Sequence, residues 1–356
     1  MVYRGKENTI MNKAKKTASV LIAGMMGVSL LAGCGSSRST VTTTQTGSNV
    51  QTGSEAAPAG GDTGSRYHMS YVMSVRDEYL SLLENAVVKA ADENDVDMDL
   101  YYCENDSSRM IQYIEQSVNE DADAILVNVV ASEDQDACME AAGDTPLVFL
   151  NKAPADTSKL NERTVFVASD ENLSGAYQGQ FIADYFNAAG QTDVSYILLR
   201  GTEGLVHTDL RTNNAIAEME AGGLNLTEVA TIMGDYDRTA AAEGMTELIN
   251  SGADFDVIVS NNDAMALGAI QALKDAGIDP SSKVIVGIDA TSDALAALDE
   301  GSMKMTVLQD AIAQGDAAVM SAINIIEGNE LTAGTNYTVS ADNPYIIYVP
   351  FVKITP

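Results

Sequence analysis

Polar side chains follow many of the short apolar runs in this chain, and their types suit hydrogen bonding to a neutral polyol. A sugar hydroxyl both donates and accepts, so planar Asp, Asn, Gln and Arg groups can satisfy neighbouring hydroxyls in pairs. A buried polar group left unpaired costs about 1–3 kcal/mol. Because the chain has no Trp, packing against the apolar face of a sugar ring falls to Tyr. The candidate ligand-binding residues are Asp77, Tyr79, Asn128, Arg211, Tyr236, Asn262, Asp289 and Gln309, with His207 and Asp209 as further candidates.

These positions lack the groups that catalysis needs. No nucleophile is paired with a base, and no glycine-rich loop is placed to cradle a phosphate. Three Cys and two His leave little for a zinc site, so we expect no catalytic residue, no metal and no cofactor. The 51 Asp+Glu against 20 Lys+Arg argue against a nucleic-acid partner, because phosphate contacts need clustered basic residues. An α/β enzyme acting on sugars remains an alternative.

Short apolar runs alternate with longer amphipathic stretches from Arg66 to the end of the chain. Strands this apolar, separated by helices, predict parallel sheets covered on both faces. About ten such units favour two doubly wound lobes, with a closed barrel as the alternative, and ligands bind at the carboxyl ends of doubly wound strands. The predicted strands are Tyr67–Val72, Met98–Tyr102, Ala124–Val130, Leu147–Leu150, Thr164–Ala168, Ser195–Arg200, Leu226–Ile232, Val257–Ser260, Val284–Ile288 and Met305–Leu308.

The first 33 residues are typical of an export signal. Lys13, Lys15 and Lys16 precede an apolar run, Ala18–Ala32, that is too short and glycine-rich for a good membrane span. The run ends in Leu-Ala-Gly-Cys, which resembles a bacterial lipobox, so we expect Cys34 to be lipidated and to become the first mature residue. The alternative is a chance cysteine after an ordinary signal peptide.

Residues 34–65 are predicted to form a flexible tether. This segment consists largely of Gly, Ser and Thr, with almost no large apolar side chain to bury. We therefore expect a globular head, residues 66–356, that is held outside the cytoplasm and lipid-anchored to the cell membrane.

Several motifs resemble one family, the sugar-binding periplasmic proteins that are related to bacterial repressors. The run VIVSNNDAMALGA at 257–269 resembles the family signature, and VGIDA at 286–290 and TVLQDA at 306–311 extend the match. The run VFLNKAP at 148–154 is similar to the galactose/glucose-binding branch, as are GTNY at 334–337 and YVP at 348–350. The resemblance covers essentially all of residues 67–354.

The resemblance implies a type I periplasmic binding protein fold, in which two Rossmann-like lobes joined by three hinge crossings close on a monosaccharide and deliver it to an ABC permease. It implies sugar contacts by Asp, Asn and Arg side chains and stacking by two tyrosines. The contacts fall on Asp77, Asn128, Arg211, Asn262 and Asp289, and the stacking falls on Tyr79 and Tyr236.

The sequence departs from the galactose branch at three places. Gln309 stands where the galactose branch has Asn and the ribose branch has Gln. Leu205 and His207 stand where the galactose branch has His and Asp. The calcium loop of some relatives is missing, since residues 187–194 offer only Asp193 as a carboxylate. We also expect Asp263 to cap the following helix, which leaves Asn262 for the ligand.

We therefore predict an extracytoplasmic solute-binding lipoprotein, and a monomer, that captures a galactose- or glucose-like hexose for an ABC importer. A sensor that presents a sugar or furanose signal to a receptor kinase is the alternative within this fold. The predicted lobes comprise residues 66–148 with 310–333, and residues 149–309 with 334–356. The crossings are expected near Pro146–Asn151, Leu308–Ala311 and Thr332–Asn336.

Overall fold

The computed structural model describes residues 66–356, so the predicted signal peptide, Cys34 and the tether lie outside the described residues. Within this range the strands are β1 (Tyr67–Met73), β2 (Val96–Tyr102), β3 (Ala124–Asn128), β4 (Leu147–Leu150), β5 (Thr164–Ala168), β6 (Asp193–Arg200), β7 (Asn225–Met233), β8 (Val257–Ser260), β9 (Val284–Asp289), β10 (Met305–Leu308), β11 (Ile346–Tyr348) and β12 (Val352–Ile354). The α-helices are α1 (Glu78–Glu93), α2 (Ser107–Asn119), α3 (Gln135–Ala142), α4 (Glu171–Ala189), α5 (Val206–Ala221), α6 (Arg238–Asn250), α7 (Asp263–Asp275), α8 (Ser292–Asp299) and α9 (Ala311–Glu327).

The strands form two open six-stranded sheets with helices on both faces, which confirms the predicted pair of Rossmann-like lobes and excludes the closed barrel. The first sheet has the order β11-β5-β4-β3-β1-β2 and is parallel throughout. The second has the order β12-β10-β9-β8-β6-β7, in which only β12 runs antiparallel to its neighbour. Strands β3, β4, β5 and β8 are buried along their whole length, as expected for parallel strands covered on both sides.

The predicted division of the chain after residue 148 is wrong for three strands. It cuts β4 in two and assigns β5 to the second lobe, whereas both strands pair within the first sheet. Strand β11 was also expected in the second lobe, but it pairs with β5. An apolar run identifies a buried strand without saying which sheet it joins, and β4 and β5 are connected without an α-helix.

The chain passes between the two sheets at three places within the described residues. The first lies between β5 and α4, because α4 packs on β9, β10 and α5. The second, at Gln309–Asp310, joins β10 to α9, which packs on the first sheet, and it falls inside the predicted range. The third lies between β11 and β12. The crossings predicted near Pro146–Asn151 and Thr332–Asn336 are therefore wrong.

Helices α4 and α5 approach each other backbone to backbone. A Cβ on Gly175 would lie 2.1 Å from the carbonyl oxygen of Arg211, and one on Gly179 would lie 2.3 Å from that of Ala215. Only glycine therefore fits at these two positions. This close contact brings the second and third turns of α5 against the N-terminal half of α4, where the polar floor of the second lobe forms.

No helix in the part of the chain that the structure describes combines the length and the apolar character needed to cross a membrane.

Candidate functional site

A polar cavity lies between the lobes at the carboxyl ends of both sheets. The first lobe supplies residues that follow β1 and β4. The second lobe supplies residues of α5, the last residue of β9 and residues that follow β7, β8 and β10. The cavity has a volume of about 30 Å³. Because small-molecule sites usually measure roughly 300–1,000 Å³, the lobes or their side chains must move to admit a sugar ring. Its lining is Asp77, Tyr79, Leu80, Asn151, Lys152, His207, Arg211, Tyr236, Asn262, Asp289 and Gln309.

Arg211 forms the floor of the second lobe and is held by a buried carboxylate. Its Nε donates to Glu171 Oε2 at 2.9 Å, and its Nη2 donates to Glu171 Oε1 as well. Nη1 donates to the carbonyl oxygen of Asn261 at 2.9 Å, and Nη2 also donates to Gln309 Oε1 at 2.6 Å. Four of the five guanidinium N–H groups are thereby used within the protein. Arg211 therefore orients Gln309 and keeps one N–H for a ligand.

Asp289 is the acidic residue that the second lobe contributes to the cavity lining, beside Asp77 from the first lobe. It ends β9 with a backbone φ of 122°, a conformation that favours glycine, and Ala290 follows at 54°. Burial raises the pKa of Asp289 well above its usual range, the charge on Arg211 opposes this, and the nearby Asp263 carboxylate reinforces it. A strained backbone of this kind persists where the surrounding structure holds it in place. Asp289 lines the cavity in this conformation.

Tyr236 and His207 form an aromatic wall. Their rings stack with centroids 5.4 Å apart, and Tyr236 Oη lies 2.7 Å from Thr208 Oγ1. The Tyr236 ring lies directly on Gly201, where a Cβ would come within 2.0 Å of it. Burial, reinforced by the charges on Arg211 and Lys152, lowers the pKa of His207 well below its usual range. His207 is therefore neutral at pH 7 and adds a flat face to the wall.

Asn262, and not Asp263, caps α7. The Asn262 Oδ1 accepts from the backbone N–H of Met265 at 3.0 Å, while its Nδ2 donates to the carbonyl of Tyr236 at 3.3 Å. Asp263 is fully buried and accepts from Thr306 Oγ1 at 2.7 Å and from the Thr291 N–H at 2.9 Å. The predicted helix cap on Asp263 is therefore wrong, because its carboxylate accepts hydrogen bonds from β10 and from the turn after β9 and not from the start of α7.

The structure gathers eight of the ten predicted site residues into the cavity. Asn128 is not among them, because its side chain is buried inside the first lobe and bonds Ser74 and the carbonyl of Leu150. Asp209 faces away and pairs with Arg200 at the surface. The eight are Asp77, Tyr79, His207, Arg211, Tyr236, Asn262, Asp289 and Gln309.

Sequence reasoning missed three residues of the cavity lining and one residue that supports it from behind. Asn151 and Lys152 follow β4 directly, so the rule that ligands bind at strand ends could have identified them. Leu80, in the first turn of α1, gave no signal beyond its place in an apolar helix face. Glu171 lies behind Arg211, and only the packing of α4 on α5 reveals it.

The profile of a family described as "Periplasmic binding protein domain" matches residues 70–330. The chain belongs to the periplasmic binding protein family. This membership implies an extracytoplasmic location, and the relatives of the chain are binding proteins, not enzymes. The alternative of an α/β enzyme acting on sugars is thereby set aside.

Two curated relatives and one solved structure illustrate the similarity. A putative rhizopine-binding protein of Rhizobium meliloti is 32% identical over 285 residues, which cover 78% of this chain and 86% of that protein. A D-galactose/methyl-galactoside binding periplasmic protein of Haemophilus influenzae is 32% identical over 218 residues, covering 59% of this chain and 64% of that protein. An ABC transporter solute-binding protein of Bacillus halodurans, solved with bound myo-inositol, superimposes with a TM-score of 0.71 at 28% identity. The superposition covers 83% of this chain and 96% of that one.

Proposed function

We propose that the protein captures a neutral six-carbon polyol, an aldohexose or a cyclitol, outside the cytoplasm and presents it to an ABC importer. The observation that carries this proposal is the cavity between the lobes, which combines planar hydrogen-bonding groups with two tyrosines. The D-galactose/methyl-galactoside binding relative and the structure solved with bound myo-inositol have ligands of this neutral class in their names, which supports the proposal. A galactose- or glucose-like hexose remains the first candidate.

The lining groups suit hydroxyls better than a formally charged ligand. Arg211 is already neutralised by Glu171, and Lys152 lies near the carboxylate of Asp77, which opposes the effect of burial on the lysine. A neutral ligand therefore leaves no buried charge without a counter-charge. Asp289 can pair with neighbouring hydroxyls, since a carboxyl group has two oxygens on one plane.

Capture would proceed by closure of the lobes about the three crossings. One ion-pair group already joins the lobes across the mouth of the cleft. Arg238, at the start of α6, donates to both carboxylate oxygens of Glu78 in α1, at 2.8 and 2.7 Å, and to Asp293 at 3.0 Å. Because Glu78 belongs to the first lobe and Arg238 to the second, this contact favours the closed arrangement.

The membrane attachment rests on the sequence alone. Cys34 would carry the lipid and residues 34–65 would act as a tether that holds the head clear of the bilayer. The sensor alternative differs only in the partner that receives the loaded protein, and a receptor kinase encoded beside this protein in place of a permease would favour it.

A thermal-shift panel of D-galactose, D-glucose, D-ribose and myo-inositol tests the ligand class on the purified protein. A ligand at about 100 times its Kd adds about 2.7 kcal/mol of stability, which raises Tm by about 5 °C or more. Asp289→Ala should remove the shift, whereas Glu162→Ala, on an exposed loop outside the cavity, should keep it. If an amino acid or a nucleoside raises Tm and no polyol does, the ligand class is wrong.

A further inference from the structure

A strained turn at the end of β9 carries the acidic residue of the second lobe into the cavity. Asp289 and Ala290 have φ angles of 122° and 54°, a region that residues with a side chain rarely adopt. Two such residues in succession keep this conformation only where the surrounding structure fixes it. The groups that fix this turn therefore determine where the carboxyl group of Asp289 lies.

Two backbone N–H groups of the turn are held by one buried network. The N–H of Ala290 donates to Thr306 Oγ1 at 3.2 Å, and the N–H of Thr291 donates to Asp263 Oδ2 at 2.9 Å. Thr306 in turn donates its hydroxyl hydrogen to Asp263 Oδ1 at 2.7 Å. Both N–H groups therefore depend on the carboxylate of Asp263, one of them directly and the other through the hydroxyl of Thr306.

The network is enclosed between three elements and lies outside the cavity lining. Asp263 is the first residue of α7, and Thr306 lies on β10 opposite Gly287 of β9. Both side chains are fully buried, and neither lines the cavity. A Cβ on Gly287 would lie 2.2 Å from Asp263 Oδ1, so a side chain at this position would displace the carboxylate. Asp263 and Thr306 can therefore act on a ligand only through the turn that they hold.

We propose that Asp263 and Thr306 are positioning residues that set the affinity for the polyol by holding the turn at Asp289. This inference rests on the proposed function and deepens it, because it assigns part of the affinity to a carboxylate that does not touch the ligand. Hydrogen bonds weaken steeply when their angle is poor, so a rotation of the turn would weaken the bonds between Asp289 and the ligand hydroxyls.

Thr306→Val is the most selective change, because it removes the hydroxyl group with little change in size and leaves the charge of Asp263 in place. Asp263→Asn has two effects, since the charge on Asp263 adds to the burial that raises the pKa of Asp289. The matched control is Thr231→Val. Thr231 lies on β7, is exposed, and donates to the carboxylate of Glu228 at 2.8 Å outside the cavity.

The test is calorimetric titration of the purified protein with myo-inositol and with D-galactose, in the wild-type background and in Asp289→Asn. Thr306→Val should weaken the tighter of the two by about three- to tenfold, the usual effect of losing one neutral hydrogen bond. Thr306→Ser, which keeps the hydroxyl group, should recover most of this loss, and Thr231→Val should bind as the wild type does. In the Asp289→Asn background Thr306→Val should change the affinity by at most about twofold, because its effect passes through the carboxylate of Asp289.

A merely structural role of Thr306 would lower the affinity equally in the two backgrounds. Such an equal loss, or a folded Thr306→Val within about twofold of the wild type, overturns the inference and leaves the proposed function standing. Asp263→Asn in the same two backgrounds decides the matter should Thr306→Val fail to fold, and an equal loss there again overturns the inference. Binding of neither polyol by the wild type overturns both the inference and the proposed function.

Discussion

Replacing Glu171 by glutamine should destabilise the protein severely, although Glu171 does not line the cavity. The Glu171→Gln change removes the counter-charge of Arg211 and keeps the size of the side chain. Side chains of the pair are only 5% and 9% exposed, so solvent screens them little. Leaving one partner of such a pair buried and uncompensated typically costs about 3–5 kcal/mol.

The measurement is the free energy of unfolding from urea titrations of the wild type, of Glu171→Gln and of Arg211→Met, together with the double variant Glu171→Met/Arg211→Met. The double variant removes both charges of the pair, so it should lose less than the sum of the two single changes. Asp209→Asn, which breaks the surface pair with Arg200, is the control and should change stability by no more than about 1 kcal/mol. A loss below about 1 kcal/mol in Glu171→Gln would refute the buried pair as the support of the second-lobe floor.

Three further changes test other parts of the account. Folding lowers the pKa of His207, so below about pH 6.5 the unfolded state binds a proton that the folded state does not. The free energy of unfolding should therefore fall there by up to about 1.4 kcal/mol per pH unit, and His207→Leu should reduce this dependence on pH. His68, whose pKa is raised on folding, should make the opposite contribution to the pH dependence. If His207→Leu leaves the pH dependence of stability unchanged, His207 is not its source. Arg238→Met should weaken polyol binding by about two- to fivefold at low salt and less at about 0.5 M NaCl, measured by calorimetry; equal loss at both salts would exclude an ionic contribution. Cys34→Ala should move the protein from the membrane fraction to the soluble fraction, and continued membrane association counts against lipidation.

The sequence predicted the two lobes and most of the cavity because both follow from strand ends. A buried parallel strand appears in the sequence as an apolar run, and ligands bind at the carboxyl ends of such strands. This rule made Asp289, Asn262 and Gln309 candidates for the site. Side-chain direction at a strand end depends on the turn that follows. Asn128 ends β3 facing the lobe interior, whereas Asn151 adopts a φ of 68° after β4 and reaches the cavity. The hydrophobic periodicity of the sequence does not show which of the two asparagine side chains reaches the cavity.

Sheet membership and pairing between distant helices were equally hidden from the sequence. Strand β5 joins the first sheet through its neighbours β4 and β11, and nothing in its own five residues distinguishes one sheet from the other. Glu171 reaches Arg211 because Gly175 lets α4 approach α5, a contact that appears only once both helices are packed.

The central claim is that one polyol binds in the cavity between the lobes, and isothermal titration calorimetry of the wild type beside Asp289→Asn tests it most directly. We predict saturable binding of a hexose or of myo-inositol with one site per chain, and a loss of about tenfold or more in affinity for Asp289→Asn, which keeps the size of the side chain. Saturable binding that Asp289→Asn leaves unchanged, or no binding of any polyol by the wild type, would contradict the account.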